Sequence, residues 1–212
     1  MNIALFISGR GSNMDAILAS CQAGHIPATP ALVVSNKADA KGLLTATAAG
    51  IPTAVFDHRE FASREDFDRA ILARVQQENI DLIILAGFMR ILTSELIRPY
   101  QGRMLNIHPS LLPKYPGLNT HQRALDAKDT MAGATVHFVI EELDAGPAVL
   151  QASVDISEQD DASSLQRKVL EVEHTIYPLA VKWVVEGRVR LQGGKALLDG
   201  EPLPPSGVRV EA

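Results

Sequence analysis

The chain has 212 residues, 46% of them hydrophobic, and a formal net charge of −5 at pH 7. This length suits one domain with a substantial core, and the acidic balance gives no basic field that would attract nucleic acid. The single cysteine, Cys21, excludes an internal disulfide, and no apolar run reaches the ~20 residues of a membrane span or forms a signal peptide, so we expect a cytoplasmic protein without membrane contact.

Apolar runs alternate with helical patterns along the first hundred residues. The continuous apolar run of Asn2–Ser8 is typical of a strand covered on both faces in a parallel sheet. A glycine turn follows, and apolar residues from Met14 to Cys21 then recur at helical spacing until Gly24. The same order repeats with strands predicted at 31–35, 52–56 and 81–86 and helices predicted at 38–49 and 64–78.

The pattern changes after residue 100. We predict a short strand at 104–107, a helix at 120–127, and an antiparallel strand pair at 134–140 and 148–156 joined by a turn. A long helix at 163–185 follows, capped by Ser163 or Ser164 and kinked or broken at Pro178. The tail at 193–212, rich in Gly and Pro, predicts a small hairpin and a loose end.

Regular alternation of strands and helices predicts an α/β fold: an open, mostly parallel, Rossmann-like sheet with helices on both faces, and an antiparallel pair in its C-terminal part. Ligands of such sheets bind beyond the carboxyl ends of the strands. The loops after the first, fourth and fifth strands end at that edge, so we expect them to converge on one ligand site.

The first of these loops has the composition of a phosphate site. Gly9-Arg10-Gly11-Ser12-Asn13 places backbone amides and two short polar side chains at the start of a helix, where the helix dipole favours an anion. One short loop suits a monophosphate. The alternative is that the glycines merely allow a tight turn and that Ser12 or Asn13 merely caps the helix.

The loop after the fifth strand contains an amide and a titratable ring on a stiff backbone. Strand alternation sends Asn106 and His108 to the same side, and Pro109 and Pro113 restrict the chain beyond them. Asp144, in a later turn, would favour the protonated ring of His108 and orient it if the two lie close together. The alternatives are a surface histidine beside a proline-rich turn and an Asp that only shapes its own turn.

Two further features could contact a ligand. The apolar loop Gly87–Leu92 could hold a flat heterocycle, with Arg90 meeting a carboxylate, although a solvated Arg90 is the alternative. Glu173 could bind sugar hydroxyls, or it could be an exposed charge on a helix face. Three histidines, His121, His137 and His174, could approach the site, but no pair has a metal-ligand spacing, so we expect no metal.

These motifs together carry a resemblance to a known family. Their order, Ser8–Asn13, Ala86–Leu92, Leu105–Pro113 and Asp144–Pro147, resembles that of the glycinamide ribonucleotide formyltransferases, within the folate-dependent formyltransferase superfamily. The resemblance runs from Met1 to about Pro205. It implies a single formyltransferase domain over residues 1–212, with a ribonucleotide-binding half at 1–100, a catalytic and folate-binding half at 101–192 and a tail at 193–212.

The resemblance also implies a reaction and a set of residues. The reaction is transfer of a formyl group from 10-formyltetrahydrofolate, as co-substrate, to the amine of glycinamide ribonucleotide in purine biosynthesis. The implied catalytic residues are Asn106, His108 and Asp144. The implied contacts to the ribonucleotide are Gly11, Ser12, Asn13 and Glu173. The implied folate contacts are Arg64, Met89, Arg90, Ile91, Leu92, Asn106, Val139, Ile140 and Asp144.

Other functions share parts of this pattern. A transfer-RNA formyltransferase has the same catalytic signature but needs an RNA-binding domain and a basic surface. A formyl-folate hydrolase shares the site but usually has an extra N-terminal domain, and a non-enzymatic nucleotide-binding module would explain only the phosphate loop. Asn119 departs from the histidine of some family members, and we expect it to tune the site. We expect a monomer or a homodimer.

Overall fold

The computed structural model describes residues 1–211 and divides the chain into two compact units. The first unit covers residues 1–105, and the second begins at Asn106. The predicted tail at 193–212 extends one residue beyond the described part of the chain.

The first unit contains a parallel sheet of apolar strands. Its strands are β1 (Asn2–Ile7), β2 (Thr29–Ser35), β3 (Thr53–Val55) and β4 (Leu82–Leu85). They lie in the order β4-β1-β2-β3, and each adjacent pair is parallel. All residues of β1 after Asn2 are buried, as the continuous apolar run predicts for a central strand.

Helices connect these strands, and their bounds differ from the prediction in two places. The helices are α1 (Ser12–Gln22), α2 (Gly42–Ala48), α3 (Arg64–Gln77) and α4 (Ser94–Ile97), with short 3-10 turns at His58–Glu60 and Arg98–Tyr100. Helix α2 begins four residues later than predicted, because residues 38–41 form a turn. Helix α4 was not predicted, since four residues are too few to show a period.

The second unit contains the predicted antiparallel pair. Its first strand, β5 (Met104–His108), begins in the last two residues of the first unit. The elements that follow are α5 (Thr120–Asp126), β6 (Met131–Phe138), β7 (Ala148–Asp155) and α6 (Ala162–Val185). Strands β6 and β7 pair antiparallel, and β6 lies between β5 and β7 in the sheet order. Strand β6 begins three residues before the predicted start.

The long helix α6 corrects two predictions. Its N-cap is Asp161, whose carboxylate accepts from the Ser164 amide at 2.7 Å while the Ser164 hydroxyl accepts from the Asp161 amide at 3.0 Å. The predicted caps, Ser163 and Ser164, therefore lie inside the helix, because the reciprocal pair satisfies two backbone donors at once. Pro178 is buried within the helix, which continues to Val185 without a break.

The C-terminal tail forms the predicted hairpin but is not loose. Strands β8 (Val189–Gln192), β9 (Lys195–Leu198) and β10 (Glu201–Pro202) form a small antiparallel sheet. Strand β11 (Val208–Glu211) then pairs in parallel with β7. Gly207 permits this approach, because a Cβ there would lie 2.5 Å from the carbonyl carbon of Val149.

Candidate active site

The predicted site residues fall in both units. The glycine loop and the loop after β4 belong to the first unit, and the candidate catalytic residues belong to the second. Each group has its own geometry, which is described within its unit.

The glycine loop leaves the start of α1 without a side-chain cap. Gly11 is the N-cap, with φ 77°, and Ser12 is the first helical residue, so neither Ser12 nor Asn13 caps the helix as the alternative proposed. The amide of Gly42 donates to the Gly9 carbonyl at 3.1 Å and fixes the loop against α2. The helix start therefore offers backbone N–H groups at its positive end, which suits an anion.

A buried hydroxyl that the sequence analysis did not select links three strand ends of the first unit. The Ser8 hydroxyl donates to the side-chain oxygen Oδ1 of Asn36 and accepts from the Met89 amide, the latter at 2.7 Å. Ser8 is the last residue before the glycine loop, and Met89 lies in the loop after β4. The Ser8 side chain thus connects the start of the glycine loop to the backbone of the loop after β4.

The loop after β4 has exposed apolar side chains on an anchored backbone. Met89 and Ile91 are 61% and 55% exposed, whereas Leu92 is buried. Arg64 donates to the Ile91 carbonyl at 2.6 Å. This contact brings three of the predicted folate residues, Arg64, Ile91 and Leu92, into one cluster.

The same loop also contains a buried cationic donor. Arg90 Nε is buried and has no hydrogen-bond partner among the described residues. At the end of the loop, Asp68 accepts from both the amide and the hydroxyl of Thr93, and burial raises the pKa of Asp68. The free Arg90 donor suits the carboxylate that the sequence analysis assigned to it.

In the second unit, β5 and the turn before β7 bring two of the candidate catalytic side chains into contact. His108 Nδ1 lies 3.4 Å from Asp144 Oδ2, and both side chains are only 7% exposed. Asp144 Oδ2 also accepts from the Gly117 amide at 2.8 Å. The structure thus places the Asp144 carboxylate beside the His108 ring, which is the proximity that the expected role of Asp144 requires.

The other ring nitrogen of His108 identifies a further partner. Nε2 lies 2.8 Å from the carbonyl oxygen of Tyr115, and a carbonyl can only accept, so Nε2 carries a proton. The ring thus faces an oxygen on each side, Asp144 Oδ2 at Nδ1 and the Tyr115 carbonyl at Nε2. A ligand that accepts a hydrogen bond from His108 Nε2 must therefore replace the Tyr115 carbonyl as the acceptor.

The loop after His108 is held by a buried polar network that the sequence analysis missed. The Thr135 hydroxyl donates to the Ser110 carbonyl at 2.7 Å and accepts from the Leu112 amide at 3.1 Å. Gln151 donates to the Leu112 carbonyl at 2.7 Å. The stiffness predicted from the two prolines therefore has a second source in β6 and β7.

A second histidine completes the buried cluster. His137 Nε2 lies 3.2 Å from Asn106 Nδ2 and 3.9 Å from Asp144 Oδ1, and its Nδ1 lies 2.9 Å from the Phe138 carbonyl oxygen. Burial lowers the pKa of His137, against the opposing effects of the Phe138 carbonyl and Asp144. His137 is named in the sequence analysis as a histidine that could approach the site, but nothing local in the sequence indicated its partner.

The remaining predicted residues of the second unit lie on two elements. Val139 and Ile140 are half-buried just after β6, in a loop that returns so closely that a Cβ on Gly146 would lie 1.7 Å from the Phe138 carbonyl oxygen. Glu173 is buried on α6, only 6% exposed, so the alternative of an exposed helix-face charge is wrong. Asn119 is the N-cap of α5, with φ 57°.

Residues 1–211 contain no group of three or more His, Cys, Asp or Glu side chains placed to hold a metal ion. Every helix within the same residues is too short or too polar to span a membrane.

Comparison with known proteins gives the class of this chain and then particular relatives. The sequence model described as formyl transferase matches residues 1–181, and the chain belongs to this family. It is 51% identical to the phosphoribosylglycinamide formyltransferase of Haemophilus influenzae over 99% of both chains. It is 47% identical to that of Escherichia coli over the full length of both chains.

Solved structures show the same similarity. The phosphoribosylglycinamide formyltransferase of Coxiella burnetii superposes with a TM-score of 0.94 at 45% identity, covering 99% of this chain and 98% of that one. The glycinamide ribonucleotide transformylase 1 of Symbiobacterium toebii gives a TM-score of 0.91 at 42% identity, covering 93% of each chain. The predicted fold class, the family resemblance and the assignment as an enzyme are confirmed. The domain limits and the roles of individual site residues stay predictions.

Proposed function

We propose that this enzyme transfers the formyl group of 10-formyltetrahydrofolate to the primary amine of glycinamide ribonucleotide, a step of purine biosynthesis. The observation that carries the proposal is the cluster in which Asp144 lies beside His108 and His137, and His137 contacts the half-buried Asn106, in a chain that matches formyltransferases over its full length. The cluster combines a carboxamide donor, an imidazole and a carboxylate, which can stabilise an oxyanion and move a proton during acyl transfer to an amine.

The chemistry assigned to the cluster is stabilisation of an oxyanion. The amine attacks the formyl carbon, and a tetrahedral intermediate forms with negative charge on the formyl oxygen. Asn106 and protonated His108 are the donors to that oxygen. The bond from carbon to the folate nitrogen then breaks, the attacking amine loses a proton, and the folate nitrogen gains one. No covalent intermediate with the enzyme is needed.

Asp144 supports this step by holding His108 as a cation. The carboxylate is 3.4 Å from the ring and is oriented by the Gly117 amide. A cationic donor stabilises an oxyanion better than a neutral one in a water-poor site. We also assign to Asp144 a part in proton movement from the attacking amine to the leaving nitrogen, through a water molecule.

The other assigned residues bind the two substrates. Gly11, Ser12 and Asn13 hold the ribonucleotide phosphate at the start of α1, and Glu173 binds the ribose hydroxyls. The formyl-folate site is assigned mainly to the loop after β4 and the loop after β6, and Arg90 and Arg64 are assigned to bind acidic groups of the folate. The residues of this site are Arg64, Met89, Arg90, Ile91, Leu92, Val139, Ile140 and Asp144. No metal takes part, and the expected location is the cytoplasm.

The test is release of tetrahydrofolate from 10-formyltetrahydrofolate by the purified protein, with and without glycinamide ribonucleotide. The proposal predicts release only when the ribonucleotide is present. Equal release without the ribonucleotide would identify a hydrolase. Saturable binding of the ribonucleotide without release would identify a nucleotide-binding module instead.

A further inference from the structure

We propose that His137 is a positioning residue for the formyl transfer: its neutral ring accepts a hydrogen bond from Asn106 and leaves the second Asn106 N–H for the formyl oxygen. The two groups lie 3.2 Å apart, from Asn106 Nδ2 to His137 Nε2. The inference rests on the proposed function, because it gives His137 a role in the same site.

The surroundings of His137 fix its tautomer. Nδ1 lies 2.9 Å from the Phe138 carbonyl oxygen, which can only accept, so Nδ1 carries the proton. The side chain is 3% exposed, and a charged ring would be costly there. A neutral ring with its proton on Nδ1 has a lone pair on Nε2, which therefore acts as an acceptor.

An acceptor at this place determines the orientation of the Asn106 carboxamide. A carboxamide can turn by half a rotation and exchange its oxygen for its NH₂ group at little steric cost. With Nε2 as an acceptor, only the NH₂ group can face His137. One N–H is used in this contact, and the second remains for a ligand. His137 thus selects the orientation in which Asn106 is a donor.

The charges around His137 support the neutral form. Asp144 Oδ1 lies 3.9 Å from His137 Nε2, and Asp144 Oδ2 lies 3.4 Å from His108 Nδ1. One carboxylate cannot neutralise two imidazolium rings, and a second cation would be buried without a partner. A protonated His137 would also require the Asn106 oxygen to face it. Burial and the nearby His108 both lower the pKa of His137, in agreement with the neutral assignment.

The backbone around His137 holds the ring in this orientation. A Cβ on Gly146 would lie 3.4 Å from His137 Nδ1 and 1.7 Å from the Phe138 carbonyl oxygen. The Phe138 amide also donates to the Pro147 carbonyl at 3.0 Å. The Phe138 carbonyl, which accepts the hydrogen bond from His137 Nδ1, is therefore part of a tightly closed turn. This closed turn restricts rotation of the His137 ring.

The first test compares two substitutions of His137. His137→Leu removes the acceptor, and His137→Gln places an amide oxygen near the position of Nε2. We expect His137→Leu to lower kcat about tenfold, the scale of one lost hydrogen bond, with both KM values within about twofold of wild type. His137→Gln should recover several-fold of this loss. The exposed His25→Gln serves as a control, and thermal unfolding shows which variants are folded.

Two outcomes of the kcat comparison would overturn the inference. One is an unchanged kcat in folded His137→Leu, and the other is an equal loss of kcat in the Leu and Gln variants, which would indicate a merely structural role. A positioning residue that stays neutral also leaves the shape of the pH–rate profile unchanged. Loss of a limb of that profile in His137→Leu would instead make His137 a proton donor or acceptor.

The second test is independent of activity. Long-range proton–nitrogen NMR of the histidine side chains reports which ring nitrogen is protonated. We expect His137 to be neutral with its proton on Nδ1 from pH 6 to 8, and a proton on Nε2 in this range would overturn the inference. If the wild-type protein does not transfer formyl to the ribonucleotide, the proposed function fails, but the NMR result still decides the state of His137.

Discussion

Replacing Asp144 by Asn removes one negative charge from the catalytic cluster with little change in shape. Asp144 has φ 53°, a left-handed conformation that Asn adopts more readily than Ala or Leu. The new side chain also keeps an oxygen that can accept from the Gly117 amide. Asp144→Asn therefore separates the charge of the carboxylate from its structural role, which Asp144→Ala would not do.

The distance between Asp144 and His108 gives the strength of the attraction that Asp144→Asn removes. Two unit charges 3.4 Å apart attract by about 5 kcal/mol at an effective dielectric constant of 20. Without this attraction the buried ring has no counter-charge. A neutral ring can still donate from Nε2, as it does to the Tyr115 carbonyl. The oxyanion thus loses a charged donor, and we expect kcat to fall by about 10²–10³-fold.

The assay measures tetrahydrofolate release at saturating concentrations of both substrates. Asp155→Asn is the matched control, because it makes the same charge change at an exposed position of the second unit. Thermal unfolding checks that Asp144→Asn is folded. A folded Asp144→Asn enzyme with kcat within threefold of wild type would refute the role of the carboxylate.

Three further predictions concern the glycine loop, the turn after β6 and pH. Gly11→Ala should raise the KM for the ribonucleotide and leave the KM for formyl-folate unchanged. The reason is that Gly11 has φ 77° and a Cβ there would lie 3.2 Å from Met14 Cε. Equal changes in both KM values would contradict the phosphate assignment. Gly146→Ala should lower the free energy of unfolding by more than about 3 kcal/mol in urea titrations, since the alanine Cβ would overlap the Phe138 carbonyl. A near-normal midpoint of urea unfolding would argue against the closed turn. Burial lowers the pKa of His137 from 6.5, so the unfolded chain binds a proton below pH 6.5 that the folded protein does not. The free energy of unfolding should therefore fall as the pH decreases below 6.5, and His137 should contribute up to about 1.4 kcal/mol per pH unit to this slope. His137→Gln should make the slope smaller, and an unchanged slope would contradict the account.

Most elements of the first unit could be predicted because their signals are local. An apolar run such as β1 and a helical period such as that of α3 are each contained in about ten residues. The first and last residues of a helix depend on local details that the spacing of apolar residues does not contain. Helix α2 is an example, because residues 38–41 form a turn before it. The cap of α6 was misplaced for a similar reason, because Asp161 and Ser164 act as a reciprocal pair and neither signal is complete alone.

Pairing between distant segments could not be predicted. Strand β11 pairs with β7 across more than fifty residues, and its four residues give no signal of their own. The contact between His108 and Asp144 could be anticipated only because a family resemblance linked them. The role of His137 was not anticipated, because its partner, Asn106, is on another strand and the tautomer depends on a backbone carbonyl.

The decisive experiment follows a carbon-13-labelled formyl group from 10-formyltetrahydrofolate to glycinamide ribonucleotide in wild type, His108→Ala and Asn106→Ala. Calorimetry first confirms that each variant binds both substrates. We predict that wild type places the label on the ribonucleotide amine and that each variant does so at least about 10²-fold more slowly, the scale for one lost oxyanion donor. Labelling of the ribonucleotide at a near-normal rate by both variants would contradict the assignment of these residues to catalysis.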